Sequence, residues 1–184
     1  MHTAMSTIPA LMLAATDRTR KPNAFQFKHD GQWLNVSTAD FILHVEELFF
    51  GLAALGIQAG DRVAILSENR VEWAISDYAA QAAGAIVVPI YPTLPAVQIE
   101  GLLNDSEARL VFLSNLEMLE KVLTTRKRLP ALKYIVAFGS NIYQPGVMRL
   151  ETLYKIGRQC SFDHPGQFRE EISRRSPEEV ATII

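Results

Sequence analysis

Between Gly60 and Phe138 the chain repeats one pattern: a short, continuously apolar run, a polar break, a helical stretch, and then another apolar run. Residues 62–66, 85–90, 109–113 and 134–138 are the apolar runs, rich in Val, Ile and Leu and too short for helices. Between them, residues 72–83 form an Ala-rich helical stretch stopped by Gly84. Residues 95–104 are opened by Pro95, and residues 116–128 end before Pro130. Strands that are apolar on both faces need cover on both faces, which a parallel sheet between two helical layers provides. Right-handed crossovers then give a doubly wound layer. The fold class expected is α/β, a doubly wound, mostly parallel sheet with helices on both faces.

A β-hairpin should precede this layer, because residues 24–28 and 32–36 flank Asp30-Gly31. Ser37 followed three residues later by Asp40 predicts a capped helix start. Phe41, Val45, Leu48, Phe49, Leu52 and Leu55 then mark one apolar helix face, ended by Gly56. Residues 8–15 are apolar, but no Lys or Arg precedes them, so a short amphipathic helix closed by Pro22 is expected instead of a signal peptide. After Phe138 the pattern weakens: a loop over 139–146, helices over 150–158 and 168–175 with a turn at 163–166, and residues 180–184 as the start of a buried strand. The chain reads as one N-terminal α/β subdomain in three stretches, 1–36, 37–138 and 139–184. A free-standing domain seldom finishes on a bare apolar strand.

Composition and missing motifs exclude several functions. A formal charge of -2 leaves no basic excess for a phosphate backbone, so nucleic acid is not expected as a partner. The single cysteine, Cys160, can form no intrachain disulfide, which points to a reducing, cytoplasmic setting. It stands in a stretch read as irregular and polar, with no neighbouring base to activate it. No dinucleotide or P-loop glycine pattern follows any strand. His2, His29, His44 and His164 are scattered, without metal-ligand spacing. The pairs Glu46-Glu47, Glu170-Glu171 and Glu178-Glu179 are expected on solvated helix faces. Lys121, Arg126, Lys127 and Arg128 crowd the end of a helix begun by Glu117 and Glu120, as the helix dipole favours, with Glu117 and Lys121 an i,i+4 pair. No residue is assigned a catalytic or metal-binding role.

Two segments lie where open α/β sheets bind ligands, at strand carboxyl ends. In Gly60-Asp61-Arg62-Val63-Ala64-Ile65-Leu66-Ser67-Glu68-Asn69, a strand runs into a polar loop, and Ser67 and Asn69 read as helix caps. In Gly84-Ala85-Ile86-Val87-Val88-Pro89-Ile90-Tyr91-Pro92-Thr93, prolines flank an aromatic at the strand end. Proline removes donors and fixes φ, so Tyr91 to Thr93 should form a rigid ledge, able to stack a planar ring or to plug the core.

With Leu52-Ala53-Ala54-Leu55-Gly56-Ile57, Glu72-Trp73 and Asn104-Asp105-Ser106 in the same order, these segments resemble the N-terminal region of the AMP-forming acyl-CoA synthetases. These belong to the superfamily of adenylate-forming enzymes, and the long-chain fatty-acid type is the most similar. The resemblance implies an acid–thiol ligase that joins a fatty acid to CoA with ATP and Mg, through an acyl-adenylate. It also implies that residues 177–184 lead into a Thr/Ser/Gly-rich phosphate loop ending in Pro-Lys-Gly. That loop, the metal-binding glutamate and a catalytic lysine are not within these residues, so this stretch alone is expected to be inactive and to bind no cofactor tightly. The resemblance places Tyr91, Pro92 and Thr93 against the adenine of CoA, although related acetyl enzymes have glycines where Pro92 and Thr93 stand. A homodimer through the hairpin and first helix, and peripheral membrane association, are compatible with it. Two rivals remain: a stand-alone α/β ligand-binding module, and an adenylating enzyme with a non-CoA acceptor.

Overall fold

The computed structural model describes residues 7–29, 31–139 and 141–184. Helix α1 (Ile8–Arg18) starts at Thr7, whose hydroxyl accepts from the Ala10 amide, and ends four residues before Pro22. Strands β1 (Phe25–His29) and β2 (Gln32–Val36) pair antiparallel, Phe25 opposite Val36 and His29 opposite Gln32. Of the expected turn, Gly31 has φ of 79° and Asp30 lies outside the described residues. The hairpin docks through Phe25, whose ring stacks on Phe41 at 4.6 Å between centroids. Helix α2 (Thr38–Ala54) has the capping box expected, Ser37 and Asp40 bonding reciprocally.

The main sheet has five strands, all parallel: β3 (Arg62–Leu66), β4 (Ile86–Ile90), β5 (Leu110–Leu113), β6 (Tyr134–Ala137) and β7 (Val147–Arg149). Their order is β4-β3-β5-β6-β7. Helices α3 (Val71–Ala82), α4 (Ala96–Asp105) and α5 (Leu116–Thr125) connect them, and α6 (Leu150–Asp163) and α7 (Gln167–Arg174) follow. Side chains alternate cleanly between two cores. Val63, Ile65, Val87, Leu110, Phe112 and Val136 pack with α2, α3, α6 and α7. Ala64, Leu66, Val88, Ile90, Val111, Leu113, Ile135 and Ala137 pack with α4 and α5. The period-two alternation of strand side chains therefore fills both faces, which explains why these strands read as uninterrupted apolar runs.

Several details depart from expectation. Strand β7 was not foreseen; it has three residues, and its pattern is half-buried throughout. Helix α5 stops at Thr125, and Arg126–Arg128 form a 3-10 turn. Helix α6 runs on to Asp163, so Cys160 sits on a helix, half-buried against the core, and not in an irregular stretch. Glu47 is buried, contrary to the solvated reading. Its carboxylate accepts from Arg158 Nε at 2.6 Å, a partner 111 residues away. Glu170 and Glu171 do lie near the surface, pairing with Arg174. Residues 180–184 form a single bridge, Thr182 beside Val87, and Val180, Ile183 and Ile184 remain exposed instead of buried.

Candidate functional site

The sheet order reverses between β3 and β5, since the chain leaves β3 toward β4 on one side and returns to β5 on the other. The carboxyl ends of these strands carry the loops that matter: Ser67 to Arg70 after β3, Tyr91 to Pro95 after β4, and Ser114-Asn115 after β5. Outside such a reversal an open α/β sheet has its natural crevice.

Here one side-chain bond spans the crevice between the β3 and β5 loops, with Glu68 and Asn69 exposed. Ser114, buried at the end of β5, donates its hydroxyl proton to Glu68 Oε2. Asn115 Oδ1 caps α5 by accepting from the Met118 amide at 3.1 Å. Burial by itself would raise the Glu68 pKa. The Ser114 bond, with help from Glu68's own amide, Arg70 and Asn115, outweighs it and holds the carboxyl below its ordinary range. An ionised carboxylate at the switch point, with no glycine in the loop, is unsuited to receiving phosphate. The capping roles expected for Ser67 and Asn69 are not observed. The Ser67 hydroxyl donates to the Glu68 carbonyl, and Arg70 is the residue that precedes α3, without a side-chain cap. Arg70 instead turns back on Glu72, giving two hydrogen bonds of 2.8 Å, and lies over the Phe138 ring at 5.5 Å.

The ledge after β4 is present and open. Tyr91 is 72% exposed, Thr93 is exposed and Pro92 half-buried. The Leu94 amide closes the turn on the Tyr91 carbonyl at 3.2 Å, while Leu94 packs into the α4–α5 core. Of the two uses open to Tyr91, plugging the core is thereby excluded, and a planar surface faces outward. Lys121 was missed as part of this region. Its Nζ donates to the Pro92 carbonyl at 2.8 Å while pairing with Glu117 at 2.9 Å. The dipole reading of Lys121 accounts for its place on α5, but nothing in the sequence signals a contact made 29 residues away. Arg128 is spent on Glu100 and Arg126 on the Leu129 carbonyl, so the basic cluster does not converge on a ligand. Among the described residues no three His, Cys, Asp or Glu side chains gather as metal ligands, and no helix is long and apolar enough to cross a membrane.

Residues 14–184 match the AMP-binding enzyme family. The long-chain-fatty-acid–CoA ligase FadD15 of Mycobacterium bovis is 35% identical over 155 residues, covering 84% of this chain and 25% of that protein. The long-chain-fatty-acid–CoA ligase ACSBG1 of Bos taurus is 28% identical over 155 residues, covering 83% and 21% respectively. Among solved structures, the acetoacetyl-CoA synthetase of Streptomyces lividans superposes with a TM-score of 0.73 over 79% of this chain and 24% of its own, at 20% identity. That last likeness is one of fold. The chain spans about a quarter of the length of the curated relatives it matches.

Proposed function

The chain belongs to the AMP-binding enzyme family, and from that premise we propose that it is part of an ATP-dependent long-chain fatty-acid–CoA ligase. The observation that carries the reading is the family match over residues 14–184 together with relatives of that activity across the same stretch. In such an enzyme a fatty-acid carboxylate oxygen attacks the α-phosphorus of Mg-ATP and pyrophosphate leaves. The CoA thiol sulfur then attacks the acyl carbon, and AMP leaves with the bonding electrons. The first step has a weak nucleophile and growing charge on phosphate, which calls for fixed cations and donors near the phosphorus. None of the groups at the β3–β5 crevice suits that task, so these residues supply scaffold to it.

For the second step the chain offers the ledge. Tyr91 presents an exposed ring on a backbone stiffened by Pro92 and tied down by Lys121, which supports its stacking against the adenine of CoA, with Pro92 and Thr93 as backbone neighbours. A pre-set aromatic surface binds with little loss of side-chain freedom. The cytoplasm, where ATP and CoA meet reduced thiols, is the setting this reading implies.

In the complete enzyme, Tyr91→Ala should raise the KM for CoA several-fold and leave ATP–pyrophosphate exchange unchanged. Base–aromatic stacking is worth about 1–3 kcal/mol by alanine substitution. An unchanged CoA constant would remove Tyr91 from the site. Assaying AMP release with and without CoA separates a CoA ligase from an adenylating enzyme with another acceptor.

A further inference from the structure

We propose that Arg175 is a positioning residue that locks residues 176–184, as a strap, onto the outer edge of β4. Its neighbour Arg174 is a surface residue with 58% of its side chain exposed, whereas the Arg175 side chain is only 16% exposed. Drawing a guanidinium from water is costly unless partners receive it. Here they come from both sides of the residue in sequence. They flank it as ion pairs and not as hydrogen bonds: Nη2 lies 3.9 Å from Glu171 on α7, and Nη1 lies 3.5 Å from Glu179 on the strap. The buried Nε and Nη1 have no hydrogen-bond partner among the described residues. The group also sits at the carboxyl end of α3, the negative end of that helix's dipole.

The place it occupies is made by a missing side chain. Gly84, left-handed at φ of 75° where α3 ends, would carry a Cβ only 1.9 Å from Arg175 Nη1 and 2.9 Å from the Ala59 Cβ. The same glycine thus turns the chain from α3 into β4 and makes room for the guanidinium. From there the strap runs parallel to β4. The Val87 amide donates to the Ala181 carbonyl, and the Ile183 amide and the Thr182 hydroxyl both donate to the Val87 carbonyl, each at 3.0 Å.

Apolar burial contributes little to holding it, because Val180, Ile183 and Ile184 are 57%, 45% and 98% exposed. Three hydrogen bonds on one residue and the Arg175 anchor are what fix its register. The parallel direction carries it from the Gly84 end of β4 toward the Tyr91 end, the end at which open α/β sheets bind ligands. On the reading of function given above, the strap therefore reaches the ligand-binding end of the sheet in an ATP-dependent ligase. A misplacement of about 1 Å remote from reacting atoms can cost on the order of a hundredfold in rate.

The test compares Arg175→Met and Arg175→Lys with the unaltered complete enzyme, by amide hydrogen exchange and by kinetics. Arg175→Met should speed exchange of the Val87 and Ile183 amides while amides of β5 keep their protection. It should also slow ATP–pyrophosphate exchange by about ten- to a hundredfold, with the KM for CoA unchanged because Lys121 holds the ledge separately. Arg175→Lys should recover part of both effects. Unchanged protection at Val87 and Ile183 would overturn the lock. Equal loss of protection in β5 would also overturn it, by showing a general loss of stability. Faster exchange at the two amides with normal adenylation would overturn the positioning role. If the unaltered enzyme shows no pyrophosphate exchange, the functional reading fails, and the two amides still decide the lock.

Discussion

At the scale of single residues, the informative groups are charged side chains that the sequence places near nothing relevant. The exposed ledge from Tyr91 to Thr93 was legible as a shape because proline constrains its own backbone and because an apolar run can be seen to end. Lys121 and Glu47 were not, since their partners Pro92 and Arg158 are distant in sequence and either residue would sit equally well on a solvated helix. Glu72 shows what such a pairing does. Burial would raise its pKa, but the two bonds from Arg70, its own amide and nearby charge outweigh burial and hold the carboxyl below its ordinary range. A carboxylate with a lowered folded-state pKa stabilises the fold above its unfolded pKa, and that contribution disappears as pH falls through the folded value. Glu72→Gln should therefore cost about 1.5–3 kcal/mol near neutrality, the worth of hydrogen bonds to charged groups. The difference from the unaltered protein should shrink in acid. Urea denaturation at pH 7 and at about pH 2.5, below the folded value, measures it, and a pH-independent difference would mean that packing rather than charge is lost.

At the scale of elements, the strands and helices of the doubly wound layer were legible because each is long or apolar enough to show its period. Strand β7 was not, because three half-buried residues carry no period, and its identity comes from pairing with β6. The contact between α2 and α6 was likewise invisible. It depends on Gly51 and Gly157, whose missing side chains let the helices approach. A Cβ at Gly157 would lie 1.6 Å from the Glu47 carbonyl oxygen, and one at Gly51 would lie 2.7 Å from that of Leu153. Backbone cannot yield as a flexible side chain can, so Gly157→Ala should force the helices apart. A loss of about 1–3 kcal/mol is expected from overpacking, even though alanine favours a helix by about 1 kcal/mol over glycine. The same change at Gly101, where nothing lies within 4 Å of the added carbon, should stabilise the protein. Melting temperatures moving in opposite directions for the two variants would confirm that the approach, and not helix propensity, decides Gly157.

At the scale of the whole molecule, the described residues contain a sheet covered on both faces and two continuous cores. Among the described residues the edge beyond β4 is not completed. Beyond β4 the strap makes one bridge and leaves Val180, Ile183 and Ile184 largely exposed. Strand order was not legible, because apolar runs specify burial and not neighbours, and so the crevice between β3 and β5 could not be placed beforehand. Catalysis is a separate matter from folding. The loop at that crevice offers a carboxylate in place of a glycine-rich phosphate cradle. Residues 1–184 prepared alone should therefore give a native far-ultraviolet spectrum and a cooperative melt, yet no ATP–pyrophosphate exchange with any fatty acid. An exposed strand edge bordered by apolar side chains invites pairing between copies, so sedimentation should show concentration-dependent association that Ile183→Lys reduces. Measurable exchange from these residues alone would place phosphate chemistry within the doubly wound layer and overturn the division of labour proposed for the enzyme.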